Sequence, residues 1–359
     1  MKDEVIPSTA SVRRYDIDWL RVIAMWLLIG YHISLAFQPF APLLGFIQND
    51  RMLEYLWPPL QILNIWRIPL LFFVSGMGVF FAMRRRKWFQ LLGERSLRIL
   101  LPLLYGSIAV VPLHFYLLQR YNGDPLTYYP FPGHLWFLVN IFLYVVLLLP
   151  VFLLLRKFPG NFLSDVLRKC LVKSPWFMAV FLVPVSATAV VTNPDSFAAF
   201  ALSPHGFSLG LVCFLQGFFM VSLGDEFWSA LESAKYWLLA LAAALYLLRL
   251  LHFGFENTPN ILNGLECVSW VLAIFGFGRQ FLNRPGKLLA YLSAAVYPTY
   301  IFHMFAQHLG STFIFPLKIA AELKLVLLFI FTFAVCYAIY EILRRIKYLR
   351  PLIGLRLEN

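Results

Sequence analysis

The sequence predicts an all-α protein, a polytopic bundle of about ten transmembrane helices with both termini in the cytoplasm. Three observations predict it. Of 359 residues 60% are hydrophobic and only 13% are charged, about half the charge that wets a soluble domain. Apolar runs of about 17–25 residues, each long enough to cross a hydrocarbon core, recur along the chain. The basic residues are confined largely to alternate loops, as positive-inside topology requires.

Residues 1–17 form a cytoplasmic segment, with Lys2, Arg13 and Arg14 beside Asp3, Glu4 and Asp16. No small-residue cleavage site follows the first apolar run, so that run is expected to be retained as a span. The spans fall roughly at 18–38, 58–83, 96–118, 134–155, 175–192, 205–223, 236–253, 261–281, 287–309 and 323–343. The fifth and sixth carry the weakest signal, because Pro184, Pro194 and Pro204 interrupt or flank them. Residues 18–345 form one membrane domain, and 346–359 a cytoplasmic tail.

Arg84–Lys87 with Arg95 and Arg98, then Arg156–Lys173, Lys235, Arg279–Lys287 and Arg344–Arg356 all fall on the side of the N-terminus. With the N-terminal tail, that side holds 23 of the 30 Lys and Arg residues. Opposite them sit Arg51, Arg120, Arg249, Lys318 and Lys324. The net charge of +12 is therefore a topology signal with a lipid bilayer as the partner, and no basic, aromatic face suits nucleic acid. Cys170, Cys213, Cys267 and Cys336 are far apart and lack paired ligand spacing. They read as small apolar residues, with no disulfide or metal site. Gly206 and Gly210 make a GxxxG step that marks close helix packing.

No phosphate-binding glycine loop, HExxH or GxSxG motif is present. Chemistry is therefore sought among ionisable residues inside spans, which are costly there: Arg21, His32, Arg67, Glu266, His303 and His308. His134 and His205 open the fourth and sixth spans. Arg21 and His32 are eleven residues apart, about three turns plus 20°, so they share a face about 16 Å apart in depth. A guanidinium near the cytoplasmic end suits phosphate, and a deeper neutral imidazole suits a general base. Acyl-CoA, long and thin with phosphates at one end and a thioester at the other, matches that pair. Helical rise places His32, Glu266 and His303 about 21, 22 and 24 Å from the inner ends of their spans, a shared level that makes Glu266 a candidate. His308, five residues past His303, is on another face and reads as structural.

These positions also carry a resemblance. Asp18-Trp-Leu-Arg21 followed by Tyr31-His32 resembles the Arg-x10-His signature of the acyltransferase 3 family of integral membrane enzymes. In order along the chain, RIPLLFFVSGMGVFF at 67–81 with Ser75, RSLR at 95–98, GHLWFL at 133–138 and PTYIFHMF at 298–305 resemble further family segments. YEILRRI at 340–346 is similar to the subset that includes periplasmic-glucan succinyltransferases. The resemblance implies a bacterial-type inner-membrane enzyme. It would move an acetyl or succinyl group from cytoplasmic acyl-CoA, a co-substrate rather than a bound cofactor, to a glycan or glycolipid hydroxyl on the outer side. It implies a catalytic His32, a donor-contacting Arg21, and Arg95 and Arg98 on the CoA side. Asp18, Arg67, Ser75, His134, Trp136 and His303 are expected to bind substrate. Family members often carry an extra extracytoplasmic domain that this sequence lacks, so acceptor choice is expected in short outer loops. The alternative is a transporter or flippase, with intramembrane charges marking a solute pathway, and after it a scaffold without chemistry.

Overall fold

The computed structural model of the protein describes residues 13–84, 86–157, 162–255 and 257–357. Lys2, Asp3 and Glu4 of the N-terminal segment and Arg85 of the basic loop lie outside them. Among the described residues ten helices are long and apolar enough to cross a membrane: Tyr15–Leu35 (span 1), Glu54–Met83 (span 2), Trp88–Asn122 (span 3), Gly133–Lys157 (span 4), Pro175–Thr192 (span 5), Pro204–Ser222 (span 6), Asp225–Phe253 (span 7), Asn260–Leu282 (span 8), Lys287–Ile314 (span 9) and Ala321–Leu343 (span 10). No strand occurs among the described residues. Helices are the expected solution, because in hydrocarbon every backbone N–H and C=O must be satisfied within its own segment.

Span 2 packs against spans 1, 6 and 8, and span 9 against spans 1, 3 and 10. The contact between spans 2 and 6 is backbone-close. A Cβ on Gly76 would lie 1.9 Å from the Phe214 carbonyl oxygen, and one on Gly217 would lie 2.0 Å from that of Phe73. Glycine is needed at both positions for the helices to approach. Gly76→Ala is expected to destabilise the protein by at least the ~1–3 kcal/mol of an overpacked core. Gly78→Ala, where the new carbon meets nothing within 4 Å, should be neutral. Thermal unfolding of the two purified variants checks the pair.

The GxxxG step does not join two helices along one seam. Gly206 faces the Phe200 backbone of the preceding loop, whereas Gly210 faces Tyr144 of span 4 and Phe72 of span 2. The prolines that weaken spans 5 and 6 sit where helices tolerate them. Span 5 begins as a 3-10 helix at Pro175–Leu182 and becomes α-helical at Val183, with Pro184 in its first turn. In span 6 Pro204 follows the N-cap Ser203, whose hydroxyl accepts from the Gly206 N–H at 2.9 Å; both are preferred helix-start residues.

Three boundaries differ from expectation. Span 3 extends from Trp88 to Asn122, with π-helical turns at Ser96–Leu100 and Gly106–Val110, so it begins eight residues before the expected Ser96 and Arg95 and Arg98 lie within it rather than at its start. Span 7 begins at Asp225, and Lys235, expected in a loop, is a buried helical residue that donates to the Glu232 carbonyl oxygen at 2.6 Å. The residues Asp225–Lys235 are mostly good helix formers, and their polar groups mask the start of the apolar run. The connection after span 4 holds a further helix, Phe162–Lys173, whose Arg168 caps the end of span 6 through the Ser222 and Leu223 carbonyl oxygens.

Opposite the arginine-rich helix ends, a folded-in segment from Ala36 to Leu53 covers the bundle. Lys324 of span 10 is buried there and donates to Asp50 at 2.9 Å and to the Phe315 carbonyl oxygen at 2.7 Å. The ammonium holds the exposed Asp50 carboxyl below its ordinary range.

Candidate active site

Side chains of spans 1, 2, 3, 4 and 9 line a cavity of about 2070 Å³. A small-molecule pocket is typically about 300–1,000 Å³, so this volume exceeds what one small ligand needs. The lining runs from the arginine-rich helix ends to Phe40, Phe46 and the 198–202 segment at the other.

The arginine-rich mouth is built from four stretches of chain. Arg13, Arg14 and Arg21 come from the start of span 1, Arg84 and Arg86 from the end of span 2, and Arg95 and Arg98 from the start of span 3. Arg344, Arg345, Arg350 and Arg356 follow span 10. A short helix at Lys347–Ile353 folds these last residues over the opening, with the Arg350 Nε donating to the Arg344 carbonyl oxygen at 2.7 Å. Among the described residues only two carboxylates, Asp18 and Glu94, line this cavity. Asp18 pairs with Arg13 and Arg21, both at 2.9 Å, and Glu94 with Arg86 at 3.0 Å and Arg98 at 3.3 Å. The carboxylates orient the guanidinium groups without neutralising them. Among the described residues Arg95 donates to the Gly78 carbonyl oxygen, at 3.4 Å, and its Nε has no partner.

His32 lies in the far half of the cavity. Its Nδ1 is 3.0 Å from Nε2 of His303, and the two rings are stacked with centroids 5.2 Å apart. His303 Nδ1 is 2.7 Å from the Tyr300 carbonyl oxygen. A carbonyl oxygen only accepts, so in the neutral ring His303 carries its proton on Nδ1 and presents a lone pair at Nε2. His32 must then donate from Nδ1, which leaves His32 Nε2 as the unprotonated nitrogen. His303 is fully buried behind His32 and does not line the cavity; His32 does. Gln307 of span 9 donates to the His32 carbonyl oxygen at 2.9 Å, fixing the register of spans 1 and 9. Pro298 breaks the hydrogen-bond ladder of span 9 just before these residues.

Arg67 is 5% exposed and lies against the same chamber. Its guanidinium carbon stands 3.4 Å over the Tyr31 ring, and Nη1 donates to Asn64 Oδ1 at 3.3 Å. Its Nε has no partner, and among the described residues no carboxylate pairs with it. A permanent cation without a counter-ion thus borders the cavity beside His32.

Other expected residues fall as follows. Asp18, Arg21, Ser75, Arg95, Arg98, His134 and Trp136 line the cavity with His32 and Arg67. Ser75 donates to the Leu71 carbonyl oxygen at 2.7 Å. His134 Nε2 is 3.1 Å from the Ile301 carbonyl oxygen, and its own carbonyl oxygen accepts from Tyr300 Oη. His303 touches the cavity only through His32, and Glu266 is separate from it altogether. It receives two hydrogen bonds from Arg249, at 2.7 and 2.9 Å, while Arg249 also reaches Gln61. Both members are buried, and neither lines the cavity. Helical rise gives a residue's depth but not the direction it faces, and Glu266 faces span 7 rather than His32. Arg249, expected outside the membrane core, is its buried counter-ion.

His114 of span 3 is a cavity residue that the sequence reading passes over, although an imidazole inside an apolar run is itself a signal. His308, read as structural, does not line the cavity, but its ring packs against that of His114. The rings of His32, His303, His134, His114, His308 and Phe46 follow one another at 5.2, 5.0, 5.5, 5.2 and 6.0 Å, and His32 closes on Phe46 at 5.6 Å. No group of three or more His, Cys, Asp or Glu among the described residues is arranged to hold a metal ion.

The profile of the acyltransferase 3 family, an acyltransferase domain, matches residues 14–341. Neither a curated protein sequence nor a solved structure matches the chain. The match takes in the histidine chamber, six of the eleven mouth arginines and the ten spans but for the last two residues of span 10, and on it the chain belongs to the acyltransferase 3 family of membrane acyltransferases.

Proposed function

We propose that the protein transfers an acyl group, acetyl or succinyl, from cytoplasmic acyl-CoA to a carbohydrate hydroxyl presented from the opposite side of the membrane. The observation that carries this reading is one cavity with two unlike ends. Eleven arginines, of which Arg14 pairs with Asp16 and Arg344 and Arg345 with Glu341, still outnumber the carboxylates around them and suit the phosphates of a nucleotide thioester. The other end is aromatic and imidazole-lined, with the basic nitrogen of His32 between. The arginine-rich end is the cytoplasmic one by the positive-inside rule, and both termini then face the cytoplasm.

The nucleotide end of the donor rests on Arg21, Arg95 and Arg98, and its pantetheine arm runs along span 1 toward His32. His32 Nε2 takes the proton of the acceptor hydroxyl as the oxygen attacks the thioester carbonyl. The tetrahedral oxyanion that forms is stabilised by the unpaired charge of Arg67. Collapse breaks the C–S bond, and the proton passes from the His32 imidazolium to the departing thiolate, so protons balance without a further donor. His303 holds His32 in the tautomer this requires. Glu266 contributes packing through Arg249.

Binding of a non-hydrolysable acyl-CoA thioether to the purified protein tests the donor assignment. Arg98→Ala and Arg95→Ala should each weaken binding by about ten- to a hundredfold, since a charge-assisted hydrogen bond contributes about 1.5–3 kcal/mol. The affinity should also fall steeply with added salt. Folded wild-type protein that ignores the thioether contradicts the assignment.

A further inference from the structure

The histidine chamber holds more hydrogen-bonding capacity than a single reacting hydroxyl uses. His114, on span 3, is 3% exposed and lines the cavity, and its Nδ1 has no partner. His134, on span 4, likewise lines the cavity with an unpartnered Nδ1. Its Nε2 faces the Ile301 carbonyl oxygen at 3.1 Å and must carry the proton, so Nδ1 is a lone pair that can accept only from an O–H or N–H. The two rings lie 5.5 Å apart at 61°. Buried polar atoms of this kind are normally paired, and among the described residues nothing pairs them. Phe115 and Phe131, whose rings are 5.0 Å apart, stand beside them and also line the cavity. Apolar walls around a few convergent polar atoms are the usual composition of a small-molecule site.

The geometry points to a second acceptor subsite, in which His114 and His134 hold a hydroxyl adjacent to the one that is acylated. This deepens the acyltransferase reading and rests on it. The acceptor is then a polyol with neighbouring hydroxyls rather than a simple alcohol. One hydroxyl meets His32 Nε2 while its neighbour donates to His134 Nδ1 and bonds to His114 Nδ1, with the carbon skeleton against Phe115 and Phe131. A site with polar groups committed to a substrate hydroxyl discriminates strongly against an analogue lacking it, because those groups are left unpaired.

The test compares trans-1,2-cyclohexanediol with cyclohexanol as acceptors, using protein in lipid nanodiscs with acetyl-CoA or succinyl-CoA as donor. Wild type should favour the diol in kcat/KM by about tenfold or more, beyond the twofold expected from hydroxyl number. In His114→Ala the preference should shrink to about that twofold, mainly through KM for the diol, with acyl-CoA affinity unchanged. His114→Asn, which keeps a side-chain acceptor and donor, should restore part of it. His114→Phe, matching the neighbouring rings in volume, serves as a second apolar variant should alanine assemble poorly. Equal use of the two acceptors by wild type, an unaltered preference in both apolar variants, or no transfer to either acceptor by protein that binds acyl-CoA overturns the subsite. Failure of the acyltransferase reading looks different, since acyl-CoA would then not bind.

Discussion

His32→Ala is expected to lower acyl transfer by about 10²–10⁴-fold, the usual contribution of a positioned general base, while leaving the protein monodisperse and its acyl-CoA affinity within a fewfold of wild type. The side chain faces the cavity and makes one side-chain hydrogen bond, to His303, so its removal deletes chemistry and enlarges the cavity at the cost of its ring contacts with His303 and Phe46. His303→Ala should produce a smaller loss, because His32 survives but is no longer held to the Nδ1–H tautomer. The double variant should be no slower than His32→Ala alone, since residues acting as a unit are not additive. Steady-state CoA release with a saturating polyol acceptor checks all three. Two independent, multiplying losses would show that His303 acts on substrate directly.

Arg249→Ala should have the largest effect on stability. It leaves the Glu266 carboxylate buried without its guanidinium, and breaking a buried pair from one side costs about 3–5 kcal/mol. The carboxylate would keep only the Trp270 indole N–H at 3.3 Å. The paired replacement Arg249→Met with Glu266→Met should recover most of that loss, because an apolar pair of similar size needs no desolvation. Thermal unfolding in detergent measures both. Glu266→Gln provides the matching check on function: it should lower stability more than it lowers transfer per folded molecule. A stable Glu266→Gln protein without activity would return Glu266 to the chemistry.

Much of the fold is legible in the sequence, for a reason specific to membranes. A bilayer demands that a crossing segment be apolar and internally hydrogen-bonded, so run length alone locates all ten spans. Boundaries fail where polar residues continue a helix beyond the apolar run, as at Asp225–Lys235, or where the chain is already helical ahead of it, as at Trp88–Arg95. The site is legible in part. Arg21 and His32 share one helix, so spacing alone aligns them on one face, and both line the cavity. Glu266 and His303 sit on other helices, where depth is countable but facing direction depends on packing. At equal depth, one packs against Arg249 and the other against His32. The tautomer of His32 is a three-residue property of His32, His303 and the Tyr300 carbonyl oxygen, and no single position announces it.

The most direct test of the central claim is product identity. Purified protein in nanodiscs, supplied with isotopically labelled acyl-CoA and a polyol acceptor, should yield an acyl ester carrying the label on the acceptor, together with one free CoA per ester, by mass spectrometry. His32→Ala should yield neither. An unmodified acceptor carried across a proteoliposome membrane, with acyl-CoA untouched, would contradict the account and point to transport.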